Sequence, residues 1–563
     1  MIMSLFSTMA GILLILGGIV IPGQSWIEFF RPLPGSPMRE QLLLGAILFR
    51  VALSLLGLSL FVLPYVPFWR PSKTLRSKRW PEPQSAAAVA CILGLLGCAL
   101  ALRLYKLDVG LWYDEVLTYV GYARMPFGEI LTTYNNENQH FVFTLLAHAC
   151  FVVFGEGAWA LRLPAAIFGV ASIWALYVFA RQVGSTRQAL FAAALFTFSY
   201  HHLWFSQNAR GYSGLLFWAL LSSYFLLRAL REDRAGLWLA YAATASLGIY
   251  THITMMFVIV GQGTLYLRQL WITRREPWPN RWAGLTLGFC AAGLLTFALH
   301  ALVLPQIRAG MQKTISVVEA WKSPLWTALE IFRGLQIGFT GLAVAVIALI
   351  VFGAGVWSFA RRESSVLWLL FVPPLAGAAY VIAAGHHLWP RFFFFAFGFA
   401  ALIAVRGAMT LEQFALARLS RGGGREIGFL CAGMVLVSAT SVPRAFGPKQ
   451  DYQGAMAYVQ AARKPGDTVL MAGLIAYPYE NLYKTGWQKV TSLEQLNATR
   501  AASRRTIVLY TLEPVLLATD PEIAASVKRD FRLMQKFPGT LEHGTVYVYI
   551  SEGAALSAQA ISK

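Results

Sequence analysis

Two adjacent acids set among aromatic residues, Leu111-Trp112-Tyr113-Asp114-Glu115, form the first grouping in the chain that suits chemistry. A carboxylate can take a proton from a hydroxyl, and aromatic faces pack against sugar rings. The same acids also suit a plain helix start, where Asp and Glu are favoured in the first turn. A second grouping is Ser206-Gln207-Asn208-Ala209-Arg210-Gly211-Tyr212. Arg210 can grip a phosphate through paired hydrogen bonds, with the Tyr212 hydroxyl as a further donor. Anchoring to lipid headgroups is the alternative use of such a pair. A third is His386-His387-Leu388-Trp389-Pro390-Arg391, in which Arg391 again suits a phosphate or a headgroup. His252, in Tyr250-Thr251-His252, sits in a short turn where a lone histidine is usually structural. No HExxH motif occurs, and the adjacent His386 and His387 are badly spaced for one metal ion. No metal site is therefore expected, and a divalent ion is not indicated. Neither a Walker A nor a GxGxxG element is present, so no nucleotide cofactor is expected.

The elements that must position these residues are membrane helices. Of the 563 residues 57% are hydrophobic and only 13% charged, with a mean hydropathy of +0.55. Apolar runs such as 87–102 and 341–356 approach the roughly 20 residues that cross a bilayer. The net charge of +20 comes largely from arginines in short loops between such runs, a positive-inside pattern rather than a nucleic-acid groove. Cys91, Cys98, Cys150, Cys290 and Cys431 all fall in apolar runs and suggest no disulfide or metal framework. The first run, residues 3–21, lacks a basic leader and a cleavage site and reads as an uncleaved anchor.

Arg70, Lys73, Arg76, Lys78 and Arg79 crowd one loop, which should be cytoplasmic. The later clusters, including Arg181/Arg187, Arg228/Arg231/Arg234, Arg274/Arg275/Arg281, Arg361/Arg362 and Arg418/Arg421/Arg425, share that side if about thirteen helices cross from a cytoplasmic N-terminus. This requires residues 140–154, apolar but short, to be interfacial or re-entrant within one long outer loop, 105–158. That loop holds six of the 17 acids preceding Arg444. His140, His201, His202, His252, His386 and His387 all map to outer helix ends, which argues for an outward-facing polar cavity. Three parts follow: an N-terminal hairpin with its basic loop, 1–84; a transmembrane catalytic module, 85–443; and a C-terminal unit, 444–563. In the last, strand patterns at 468–471, 506–510 and 546–550 alternate with helical stretches at 452–462 and 522–531, as in a small extracytoplasmic α/β domain.

The order Trp-Tyr-Asp-Glu in the first outer loop, then Asn138-Gln139-His140, resembles GT-C fold glycosyltransferases. The similarity is to the bacterial branch related to protein O-mannosyltransferases and the lipid A aminoarabinose transferase. Arg210 and Tyr212 match an R-x-Y common in that group, the segment Ala158-Trp159-Ala160-Leu161-Arg162-Leu163-Pro164 is also similar to that branch, and the likeness runs from about residue 102 to 399. Two features depart from the pattern. His140-Phe141-Val142 stands where many relatives have His-Pro-Pro, and Glu137 only loosely matches a Glu-Lys pair whose lysine is absent.

The resemblance implies inverting transfer from a polyprenyl-phosphate sugar to a hydroxyl of a glycolipid, polysaccharide or protein. Asp114 would act as base, with Glu115 beside it. Arg210, Tyr212 and Arg391 would hold the donor phosphate, and Trp112, Tyr113, Glu137, His140, His252 and His387 would line the substrates. The expected setting is the outer face of the cytoplasmic membrane. Two other readings remain at this stage: a transporter or flippase of lipid-linked sugars, and a non-catalytic envelope assembly protein. The first would place ionisable groups at mid-membrane and often show repeats.

Overall fold

The computed structural model describes residues 2–31, 39–65, 84–274, 282–311, 317–335, 342–419 and 428–552. The basic loop from Arg70 to Arg79, and Arg275, Arg281, Arg421 and Arg425, lie outside the described residues.

The chain is a multi-span helical membrane protein with a small sheet unit at its C-terminal end. Eight helices among the described residues are long and apolar enough to cross a bilayer. They are Glu40–Tyr65, Ala86–Leu104, Ala158–Val183, Tyr212–Glu232, Val344–Arg362, Ser365–Ala383, Pro390–Ala417 and Phe429–Phe446. Ten result if each of two bent pairs counts as one crossing: Leu5–Ile19 with Gly23–Phe30, bent by 102°, and Gly284–His300 with Leu304–Gly310, bent by 85°. Thr186–Thr197, Ala235–Thr251 and Met255–Ile272 are helices where the remaining three of the expected thirteen would lie. The first two have 12 and 17 residues, and the third carries Gln262, Arg268 and Gln269, so length and composition alone do not make them crossings.

The N-terminal helices Ile2–Ile19 and Arg39–Val62 touch at glycines: a Cβ on Gly11 would lie 2.7 Å from the carbonyl of Gly57. The short apolar stretch forms the helix Phe141–Phe154, whose 14 residues reach only about 21 Å, less than a bilayer core. Phe143, Ala147 and Phe151 pack it against Ala160, Leu161 and Ala165 of the next helix, while Val152 and Val153 at its far end are 70% exposed.

Helix ends sort into two groups. At one end of the bundle Arg231 donates to the Gln182 carbonyl at 2.8 Å and pairs with Glu363 at 3.0 Å, joining three helix ends. The opposite end carries the loop 105–158 and the C-terminal unit.

That unit is a five-stranded sheet in the order β2-β1-β3-β5-β4. Its strands are β1 (Asp467–Ala472), β2 (Gln488–Val490), β3 (Arg505–Tyr510), β4 (Arg532–Phe537) and β5 (Val546–Glu552). β1 runs parallel to β2 and β3, and β5 pairs antiparallel with β3 and β4. Alternate residues of β1 and β3 feed two cores: Val469, Met471, Ile507 and Leu509 on one face, Leu470, Ala472, Val508 and Tyr510 on the other. Helices cover both faces, as a largely buried sheet requires.

Candidate active site

The first two sequence groupings meet through the acids. The helix Tyr113–Thr118 begins on them, and neighbouring helical positions diverge by about 100°, so Asp114 and Glu115 face different surroundings.

Glu115 faces inward and is fully buried. Its Oε1 accepts from Arg162 Nε and from the Ala209 backbone N–H, both at 2.8 Å. Its Oε2 accepts from Arg162 Nη2 at 2.5 Å and from the Trp112 backbone N–H at 3.3 Å. Arg162 also donates to the carbonyls of Leu107, Val109 and Gly110, which fixes the loop ahead of the acids. Burial pushes the Glu115 carboxyl up, but Arg162 and the buried Lys449 outweigh it and hold the group below its usual range. Both oxygens are so occupied, and they tie the acidic turn to Arg162 and to the Ala209 backbone.

Asp114 faces the other way. Its Oδ2 lies 2.7 Å from Arg210 Nη1 and 3.2 Å from Arg391 Nη1, with 13% of the side chain exposed. Arg210 is nearly buried, and its Nε donates to His140 Nε2 at 2.9 Å. An arginine N–H can only donate, so Nε2 is the accepting nitrogen and the proton of neutral His140 sits on Nδ1, against the Thr251 carbonyl. Burial, then the charges of Arg210, His252 and Arg391, push His140 well below the usual histidine range. His252 stacks on His140 at 4.6 Å between ring centres, and burial takes its pKa down to about 3. Its Nδ1 accepts from the Thr254 backbone N–H at 3.3 Å. Gly211 lets these segments close up, for a Cβ there would lie 2.6 Å from the Thr251 carbonyl oxygen. The Tyr212 ring lies under Arg210 at 5.7 Å, and its hydroxyl bonds Arg391.

The remaining expected residues divide. Trp112 is buried, its indole N–H donating to Asn208 Oδ1 at 3.2 Å, so it locks the two groupings together and offers no face to a substrate. Tyr113 is partly exposed and meets Tyr477 of the C-terminal unit, with ring centres 6.1 Å apart. Burial and the neighbouring Asp114 raise its phenol to about 12, so it stays neutral. Glu137 is exposed and touches none of these groups directly, although its charge is felt at Arg391. His387 stands behind Arg391 among tryptophans. Among the described residues no three His, Cys, Asp or Glu side chains converge as metal ligands.

Three contributors were not singled out from sequence. Arg162 lies 47 residues from its partner Glu115. Gln450 and Lys449 come from the start of the C-terminal unit. Gln450 Oε1 accepts from the Tyr113 backbone N–H at 2.9 Å, and Lys449 donates to the Gln207 carbonyl at 2.8 Å. Only the arginine carried a signal, as one of the few charges inside an apolar helix.

Residues 138–300 match the family model described as dolichyl-phosphate-mannose-protein mannosyltransferase. No curated protein matches the chain. Similar solved structures include ArnT from Cupriavidus metallidurans in the apo state, 14% identical with a TM-score of 0.48 over 83% of this chain and 98% of that one. The same protein bound to undecaprenyl phosphate gives 13% and 0.44 over the same shares. The S. cerevisiae Pmt1-Pmt2 complex bound to the sugar donor gives 16% and 0.35 over 46% of this chain and 38% of that one. The family match spans His140, Arg162, Arg210, Tyr212 and His252. Over that segment the resemblance read from the sequence is borne out: residues 138–300 are related to the dolichyl-phosphate-mannose-protein mannosyltransferases.

Proposed function

We propose that the protein is an inverting membrane glycosyltransferase that moves a sugar from a polyprenyl-phosphate donor to an acceptor hydroxyl. The acceptor belongs to a glycolipid, a polysaccharide or a protein, and the reaction takes place at the outer face of the cytoplasmic membrane. The observation that carries this reading is one accessible carboxylate, Asp114, held between two guanidiniums from separate segments. A purely structural ion pair needs one arginine. Here two guanidiniums face one carboxylate beside neutral His140 and His252, and the excess positive charge suits a phosphate. The family match supports a lipid-phosphate sugar as donor.

In this mechanism the donor phosphate occupies Arg210 and Arg391, which releases Asp114 toward the acceptor. Asp114 takes the hydroxyl proton as the acceptor oxygen attacks the anomeric carbon. The bond from that carbon to the phosphate oxygen breaks, and polyprenyl phosphate leaves with the electron pair. The guanidiniums stabilise its growing charge where water is largely excluded, which strengthens each contact. Glu115 and Arg162 keep the acidic turn in place.

The test is transfer of labelled sugar from polyprenyl-phosphate donors by the reconstituted protein. Asp114→Asn keeps the size and removes the basicity, and turnover should fall by roughly 10²–10⁴-fold. Wild-type turnover in folded Asp114→Asn protein overturns the mechanism, and translocation of donor without transfer would favour the transporter reading.

A further inference from the structure

Beside Arg391 stands a wall of aromatic rings that the mechanism leaves unused. Trp321 and Trp389 meet at 4.4 Å between ring centres, and Trp326 lies 5.6 Å from Trp389. His387 stands edge-on to Trp321 and Trp389 at 5.5 and 5.7 Å. The Arg391 guanidinium lies over Trp389 at 4.8 Å while reaching Asp114 at 3.2 Å, so the wall begins one guanidinium away from the carboxylate. Its backbone is pinned: Leu388 N–H donates to the Trp321 carbonyl at 3.0 Å, and the Thr327 hydroxyl to the Leu388 carbonyl at 2.6 Å. Trp326 and Trp389 remain partly exposed, so the wall is open to a ligand.

Two nitrogens in this wall are buried without a protein partner, His387 Nε2 and Arg391 Nε, and His386 Nδ1 on the adjoining residue is a third. Folded proteins seldom leave such groups unpaired, and three within six residues beside a carboxylate call for a ligand that pairs them. A lipid tail would cover the rings and leave the nitrogens unpaired. A bare phosphate would pair the nitrogens and make no use of the rings. A sugar ring does both, with apolar C–H faces for the indoles and hydroxyls for the nitrogens.

We propose that this wall is the subsite for the transferred glycosyl group, an inference that rests on the transferase reading above. His386, His387 and Arg391 Nε pair the sugar hydroxyls, while the other end of Arg391 faces the phosphate. Trp326 and Trp389 then set which sugars are accepted.

Equilibrium binding to the full chain in nanodiscs tests this. The probes are undecaprenyl phosphate and its mannosyl, glucosyl and arabinosyl phosphodiesters, each bound to wild type, His387→Ala, Trp389→Leu and Arg210→Ala. At least one glycosylated probe should bind wild type about 10-fold more tightly than the bare lipid phosphate, the size expected of one ring contact and one or two hydrogen bonds. In His387→Ala and Trp389→Leu that advantage, taken as the ratio of glycosylated to bare affinity within each variant so that any loosening of Arg391 cancels, should vanish. If no probe gains from its sugar, or the gain survives both substitutions, the subsite is refuted. The donor reading stands in that case provided that Arg210→Ala still weakens the bare lipid phosphate. If Arg210→Ala leaves that binding unchanged, the donor reading itself fails and the subsite falls with it.

Discussion

Replacing Glu115 by glutamine is expected to undo the fold around the site rather than its chemistry. Each carboxylate oxygen of Glu115 accepts two N–H groups, from Arg162 and Ala209 at one and from Arg162 and Trp112 at the other. A glutamine presents one oxygen and one NH₂. Whichever way the amide is turned, its NH₂ faces two donors, and both lose their acceptor. The Arg162 charge, only 3% exposed, also loses its counter-ion. Removing one partner of a buried pair costs about 3–5 kcal/mol, a large share of the stability of most folds. Asp114→Asn should cost less: Arg210, 4% exposed, also loses its counter-ion, but an amide oxygen still faces both guanidiniums and Arg391 is 26% exposed. Melting followed by fluorescence-detected size exclusion should therefore show Glu115→Gln several degrees below wild type, with Asp114→Asn between the two. Turnover per folded molecule should collapse only in Asp114→Asn. Wild-type melting with lost turnover in Glu115→Gln would make Glu115 a catalytic carboxylate and refute the division of roles.

The other expectations are simpler to state. Arg210→Ala should lower turnover by ~100-fold or more, since a charge-assisted contact formed at the departing phosphate is removed, and full activity would leave Arg210 only a structural partner of Asp114 and His140. Gln450→Ala frees the Tyr113 backbone beside Asp114, so kcat should fall about 10-fold with little change in donor KM. Gln450→Glu, which keeps the accepting oxygen, should restore most of it, and equal losses in both would leave Gln450 without a positioning role. His387 and His252 have pKa values lowered to about 4 and about 3, and His140 is lowered too. Their neutral forms are favoured in the folded state, so stability is fully present above about pH 6.5 and is lost as pH falls toward 4 and below. Melting temperatures measured between pH 7.5 and 4.5 should decline, and a flat profile would contradict neutral burial. A reporter fused after residue 552 should be active only outside the cytoplasm, and one placed within 66–83 only inside; the reverse result would invert the proposed orientation.

What the sequence made legible follows the reach of each interaction. Helices and the strands β1, β3 and β5 showed themselves through local apolar patterns. β2 has three residues, too few for a period, and β4 reads Arg-Leu-Met-Gln-Lys-Phe, an edge strand whose half-exposed faces do not alternate cleanly. The groupings around Asp114, Arg210 and Arg391 stood out because ionisable residues are rare among apolar helices. Their union did not, because it depends on contacts 96 and 277 residues apart, Trp112 to Asn208 and Asp114 to Arg391. The part played by the C-terminal unit was hidden for the same reason. Gln450 reaches Tyr113 across 337 residues, and a lone glutamine carries no signal of its own.

The acidic pair shows how two rival readings of one motif can both hold. From sequence, Trp-Tyr-Asp-Glu is either a catalytic carboxylate or the acidic first turn of a helix. Under the proposed mechanism these uses fall to the two neighbours. Glu115 is the third residue of its helix and accepts the backbone N–H of Trp112, as a first-turn acid does, while its other bonds weld that turn to Arg162 and Ala209. Arg210, the next residue after Ala209, turns its side chain to Asp114. The backbone of one segment thus holds the structural acid, and its next side chain meets the accessible one. A base must keep its place while its partners exchange phosphate for water and back. A rigid neighbour with every lone pair engaged supplies that fixity, and Asp114 is left free to change partners.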